Sequence, residues 1–316
     1  MKKILVLRGG ALGDFLVTLP ALALLRRRWP AARIELAGHA TAAALARDCG
    51  LLDAIHSQHE ARWSALFAAA PLPSGFATWL GEFDLVVNFW PDPGGELGAH
   101  FPQREGQTFL HADAQPSRAP AAAHFFCEPL HALGIEPREF LYPLKIRRIA
   151  PNAPYPIALH PGSGSPRKNW PTERWLELIG TLLSPVLVIL GEAELESWSA
   201  LTRVRLVRGL TEQPVGGTVL HLAVNLPLPE LAMQLARCRL FLGHDSGVSH
   251  LAAACGVPSV LLFGPTNPAI WAPPAPHVRV LHPDAGLEAI AVADVRHAMA
   301  EVQAAEGFRV VASDGT

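Results

Sequence analysis

The sequence predicts an α/β protein of two domains, each a parallel sheet with helices on both faces. Three observations carry this. Short apolar runs alternate with helically spaced segments along the chain, several runs end in a glycine-rich loop that opens a helix, and the pattern restarts after a proline-rich stretch at residues 149–156. At 316 residues the chain exceeds the usual size of one domain, so the expected division is 1–150 and 151–316.

Each element follows from local pattern. Ile4–Leu7 is an apolar run closed by Arg8-Gly9-Gly10, after which Leu16–Trp29 has helical spacing until Pro30. Residues 33–37 read as a second strand, 42–49 as a second helix and 84–89 as a later strand. From Pro91 to Pro120 periodicity disappears and Pro, Gly, His and Gln dominate, which predicts long loops at the carboxyl edge of the sheet. The second half repeats the scheme: strand 157–159, a glycine loop, helix 172–183, strand 186–190, a further helix and strand, helix 228–237, strand 239–242, helix 248–255 and strand 259–263.

Composition excludes several functions. Half the residues are hydrophobic and 17% are charged, as in a compact globular chain, and the formal net charge of -2 is a poor match to nucleic acid. Cys49, Cys127, Cys238 and Cys255 are far apart and lack a C-x-x-C pair, so buried free thiols are expected rather than disulfides or zinc. No apolar stretch approaches a membrane span, and the apolar run after Met1-Lys2-Lys3 is too short for a signal peptide; a cytoplasmic protein is expected. Arg26-Arg27-Arg28-Trp29 suits contact with an anionic membrane surface, although arginines at a helix end also serve the dipole and solvent.

Chemistry concentrates in three loops. The strongest signal is Gly243-His244-Asp245-Ser246-Gly247, where a strand passes at once into a helix whose free N–H groups suit an anion. Asp245 would repel a bare phosphate but suits sugar hydroxyls beside it, which favours a nucleotide-sugar; a plain helix cap at Asp245 or Ser246 accounts for the same residues. His250, one turn further, faces either the site or the core. The second loop, His160 to Pro171, offers Ser163, Ser165, Arg167 and Lys168 for a departing diphosphate, without the P-loop spacing. Its cations are equally readable as solvated, with Pro171 opening the next helix. The third, Gly9-Gly10-Ala11-Leu12-Gly13-Asp14, is a poor dinucleotide fingerprint because Arg8 stands where a glycine is required and Glu35 is a weak ribose acid. Asp14 at a helix start is available as a base if it faces the interdomain cleft, and otherwise is an acidic cap.

Taken together, Leu228–Ala232, Phe241–Ala254 and Phe263-Gly264-Pro265-Thr266-Asn267-Pro268 resemble the heptosyltransferases of glycosyltransferase family 9. Gly13-Asp14 with Leu19-Pro20, His160-Pro161-Gly162-Ser163 with Lys168-Asn169-Trp170-Pro171, and Gly191-Glu192-Ala193-Glu194 support the same resemblance. It implies a GT-B fold, two Rossmann-like domains with parallel sheets facing across a cleft, the first binding the acceptor and the second the donor. It also implies an inverting, metal-independent transfer of a sugar, by analogy heptose from ADP-heptose, to a hydroxyl of a lipopolysaccharide-core or other glycan or glycolipid acceptor. Asp14 becomes the base, with Gly10 and Gly13 on the acceptor side. Lys168 and Ser163 contact the diphosphate, Asp245 holds the donor sugar, Ser246 and Gly247 bind phosphate, and Glu194 meets the ribose. No cofactor is implied, and the enzyme would work in the cytoplasm at the inner face of the membrane. His244 and Asn169 depart from the family pattern. Two alternatives stay open: a nucleotide-sugar epimerase of the same fold, and a noncatalytic nucleotide-sugar-binding protein.

Overall fold

The computed structural model describes residues 1–68, 70–112, 121–136, 144, 155–202, 207–215 and 218–307, and the chain divides into two units, Met1–Leu144 and Lys145–Thr316. Residues 149–154 of the expected linker and 113–120 of the expected loops lie outside the described residues.

In the first unit the apolar runs form β1 (Lys3–Arg8), β2 (Arg33–Gly38), β3 (Ala54–Ser57), β4 (Leu85–Asn88) and β5 (Thr108–His111). They make one parallel sheet in the order β3-β2-β1-β4-β5. Helices α1 (Leu12–Leu16), α2 (Leu19–Arg28), α3 (Ala40–Asp48), α4 (Ser74–Gly81), α5 (Glu96–His100) and α6 (Ala122–Phe125) occupy the connections. The helix expected over Leu16–Trp29 is α2, Leu19–Arg28, and the short α1 stands before it and ends at Leu16. Pro20 has no N–H to give the Leu16 carbonyl, so the chain breaks at Val17 and Thr18, and the Thr18 hydroxyl donates to the Phe15 carbonyl at 2.6 Å. Helix α1 begins at Leu12, so Asp14 lies in its first turn, at a helix start as expected. The 91–120 stretch is also corrected: it holds α5 and β5, elements too short for their period to show.

Leu5, Leu7 and Val86 pack under Trp63, Phe76 and Phe83, and Trp63 meets Trp90 edge to face at 5.3 Å. Glu35 interrupts the apolar pattern of β2 because it is the centre of an ionic cluster. Its buried carboxylate takes His56 Nε2 at 2.7 Å, Arg33 Nε at 2.8 Å and Lys3 Nζ at 3.6 Å. Burial pushes this carboxyl up, but the bonds from His56 and Arg33 and the Lys3 charge outweigh burial and hold it at about 2. The folded value lies below the ordinary 4.5, so Glu35 contributes stability above pH 4.5 that is lost as the pH falls from there towards 2. Glu35→Gln is expected to lower the urea midpoint at pH 7 and to lose that deficit on acidification through this window. A deficit independent of pH would contradict the ionic account.

The second unit contains β6 (Ile157–Leu159), β7 (Val186–Leu190), β8 (Gly209–Val215), β9 (Thr218–Val224), β10 (Leu240–His244), β11 (Ser259–Leu262) and β12 (Val278–Leu281). Their order is β12-β11-β10-β6-β7-β9-β8, parallel except for the antiparallel β8–β9 hairpin at one edge. Helices are α7 (Thr172–Gly180), α8 (Leu195–Thr202), α9 (Leu228–Leu235), α10 (Gly247–Ala254), α11 (Pro268–Trp271) and α12 (Val292–Ala305). Trp170, Trp175, Leu178, Leu242 and Val295 belong to its core. Strand β10 runs two residues past the expected end, because Gly243 and His244 stay paired with Leu261 and Leu262 of β11. Pro171 precedes α7 as its cap instead of opening it. Cys127, Cys238 and Cys255 are buried, as expected, but Cys49 is only partly buried, contrary to expectation. Among the described residues no helix is long and apolar enough to cross a membrane.

Candidate functional site

Strand order in the second sheet reverses between β6 and β10, the switch point outside which open α/β sheets bind ligands. The loops that leave β6, β7, β10 and β11 all emerge at this carboxyl edge, and they carry the residues singled out from sequence. Lys168 Nζ lies 2.7 Å from Asp245 Oδ2, and the Thr266 hydroxyl donates to the same oxygen at 2.7 Å. Asp245 is thus held on one oxygen by two loops.

Ser246 caps α10, its hydroxyl accepting the Ser249 N–H at 3.3 Å, so the capping reading describes this side chain. The hydroxyl also sits 3.3 Å from His160 Nδ1. With its oxygen so engaged, the anion-binding capacity of this corner resides in the backbone N–H groups of the first turn, Gly247 included. Ser163 is turned into its own loop, 2.7 Å from the Ser165 carbonyl and 2.6 Å from Asn169 Oδ1. Asn169 therefore shapes the loop.

Glu194, expected at the ribose, is buried: Oε2 accepts the Gly191 N–H at 2.8 Å and lies 3.8 Å from His160 Nε2. Burial pushes this carboxyl up, but His160 and the Gly191 amide bring it below the usual carboxylate range. Gly162 must be glycine, since a Cβ there would come within 1.9 Å of Glu194 Oε1. His250 is buried within α10. His244 is fully buried, and burial drives its imidazole down to about 3, so it is neutral at any working pH.

The first sheet has its own switch point between β1 and β4, where Arg8-Gly9-Gly10 ends β1. Asp14 lies in the first turn of α1, accepting the Ala11 N–H at 2.9 Å, with its side chain 40% exposed. Sequence reasoning missed the role of Arg8, which it treated as a defect of a dinucleotide motif. The Arg8 guanidinium donates from Nε to the Asp14 carbonyl at 2.8 Å, approaches Oδ1 at 3.5 Å and stacks over Phe126 at 4.4 Å. Burial lowers Arg8 to about 10 against the raising effect of Asp14, which leaves it a cation. Gly10 has φ +97, and a Cβ there would meet Asp14 Oδ2 at 2.6 Å. Gly13 lies beside Asp14 within α1 and gives its carbonyl to the Val17 N–H at 3.1 Å. Thr266 was likewise missed as a site residue; its signal was its place just past a strand in Phe-Gly-Pro-Thr. Among the described residues no group of three or more His, Cys, Asp or Glu is arranged to hold a metal.

Residues 142–289 match the family described as glycosyltransferase family 9 (heptosyltransferase). Lipopolysaccharide heptosyltransferase 1 of Salmonella typhimurium is 24% identical over 300 residues, covering 85% of this chain and 90% of that protein. The protein of the same name from Pseudomonas aeruginosa is 37% identical over 122 residues, 37% of this chain and 31% of that one. Among solved structures, a glycosyl transferase of family 9 from Veillonella parvula is similar with a TM-score of 0.72 at 21% identity, covering 96% of this chain and 97% of that one. E. coli heptosyltransferase WaaC, solved with ADP, gives 0.71 at 18% identity, covering 95% and 99%.

Proposed function

Because residues 142–289 match glycosyltransferase family 9 and the chain has a Rossmann-like GT-B fold, we propose that it is an inverting enzyme that moves heptose from ADP-heptose to a hydroxyl of a lipopolysaccharide-core acceptor. The observation that carries this reading is the meeting of Lys168, Asp245 and the α10 N-terminus at one switch point. A cation, a sugar-compatible carboxylate and unpaired backbone N–H groups together suit a diphosphate joined to a sugar, and suit neither part alone as well.

In the proposed reaction Asp14 removes the proton of the acceptor hydroxyl, the oxygen attacks the anomeric carbon from the face opposite the diphosphate, and the bond to the diphosphate breaks with inversion. Lys168 and the first-turn amides of α10 take up the negative charge on the departing nucleoside diphosphate, without a metal ion. Asp245 orients the sugar through its hydroxyls. Lys168 is already within reach of Asp245 and needs only to share itself with the incoming phosphate. Ser163 and Glu194 act through the loops they brace. Acceptor glycolipid and protein would meet at the inner face of the cytoplasmic membrane.

Calorimetry with ADP, GDP and UDP tests the donor assignment. Binding of ADP in preference to the other two is expected, and absence of binding by all three would remove the donor site. Product analysis with donor alone separates transfer from epimerisation, since an epimerase turns over without acceptor.

A further inference from the structure

His244 occupies the centre of the site, yet the proposed chemistry gives its side chain no part. Its imidazole ends β10, fully buried, and is bonded to two points of the loop that follows β6. Nε2 lies 2.8 Å from the Trp170 backbone nitrogen, and Nδ1 lies 3.3 Å from the Gly162 carbonyl oxygen. The partners dictate the tautomer. A backbone N–H only donates, so Nε2 is the bare acceptor; a carbonyl only accepts, so Nδ1 carries the proton. Protonation would set an Nε2–H against the Trp170 N–H, and no titration is built into this residue. The Trp175 ring packs edge to face on the imidazole at 5.3 Å, and Trp170 packs on Trp175 at 5.1 Å, which fixes the ring plane.

Gly162 and Trp170 are the two ends of the segment that carries Ser163, Arg167 and Lys168. The strand that ends in His244 continues directly into Asp245 and Ser246. One side chain therefore ties both ends of the cation-bearing loop to the strand that presents the carboxylate and the helix start. The Lys168–Asp245 contact spans the same gap, but through a flexible, partly exposed side chain.

We propose that His244 is a positioning residue for nucleoside diphosphate binding, clamping the 162–170 loop at both ends so that Lys168 is held beside Asp245 and the first turn of α10. This rests on the donor reading above. It gives a role to a buried side chain that the proposed chemistry leaves unused, and it makes loop order, rather than direct contact, the route by which that residue affects the ligand.

The test compares wild type with His244→Phe, which keeps a ring but makes neither bond, and His244→Gln, whose amide oxygen restores an acceptor for the Trp170 amide. Tryptic cleavage after Arg167 and Lys168, mapped by mass spectrometry, reports the loop; calorimetry with ADP, GDP and UDP reports the diphosphate. The Phe variant is expected to be cut in the loop about tenfold faster and to bind the preferred nucleotide about tenfold more weakly, as the loss of two net hydrogen bonds implies, with Gln intermediate in both. If the Phe variant does not fold, His244→Asn, which lacks an acceptor at the Trp170 amide, replaces it with the same expected directions. A variant whose affinity falls without faster loop cleavage, or whose loop and affinity are both unchanged, overturns the clamp while leaving the donor site standing. A wild-type protein that binds none of the three nucleotides removes the donor reading, and the proposal with it.

Discussion

Asp14→Asn is expected to reduce sugar transfer by about 10²–10⁴-fold while leaving nucleotide affinity and folding nearly unchanged. The size follows from the proposed role, because a general base contributes on that order and asparagine has no lone pair basic enough to take a hydroxyl proton. The rest of the environment survives the change. The asparagine oxygen still accepts the Ala11 N–H, and the Arg8 Nε bond goes to the Asp14 backbone carbonyl, which the substitution keeps. In the proposed site nucleotide affinity depends on residues of the second unit, so it reads out independently. Steady-state rates together with calorimetric ADP affinity decide the matter. Transfer at the wild-type rate would end the assignment of Asp14, and a parallel loss of rate and ADP affinity would point to damage beyond the proton transfer.

Much of the fold was legible because a doubly wound sheet writes itself plainly into sequence. Strands buried on both faces appear as uninterrupted apolar runs, such as Val186–Leu190, and the loops after β1 and β7 begin with glycine. What was not legible was short or depended on partners distant in the chain. Helices α1 and α5 have five residues each, too few for a helical period, and the end of β10 at His244 is set by pairing with β11. The break at Thr18 was readable in principle from Pro20, but the apolar spacing across it concealed the stop.

The site divided along the same line. Asp245, Ser246 and Lys168 were visible because each lies where a strand gives way to a helix, and topology gathers such loops at one edge. The direction of each side chain was not visible. Ser163 turned inward to its loop, Ser246 turned to its own helix, and Glu194 went beneath Gly162, because each found a backbone or side-chain partner that spacing does not reveal. Arg8 was misjudged for a related reason. Judged as a failed glycine it was an argument against one function, whereas in the fold it holds the backbone and carboxylate of Asp14.

Lys168→Met should lower transfer by about 10²–10³-fold, in the range expected when one preorganised charge at a departing oxyanion is lost. Two routes lead to such a loss, and a pair of variants separates them. Lys168 and Thr266 share Asp245 Oδ2, so if lysine mattered only by orienting that carboxylate, Thr266→Val would reproduce its effect. If lysine instead neutralises the diphosphate, the two variants diverge. Lys168→Met then weakens ADP itself, because ADP carries the full charge of the leaving group. Thr266→Val leaves ADP affinity near wild type and weakens the intact nucleotide-sugar, because only the sugar meets Asp245. The second pattern is expected, measured as paired affinities for ADP and ADP-heptose in both variants. Lys168→Arg should recover only part of the loss, since the planar guanidinium keeps the charge but cannot place a single compact donor on Asp245 and phosphate together. Equal ADP affinities in wild type and Lys168→Met would leave Lys168 as a brace for Asp245 and shift the leaving-group charge to the amides of α10.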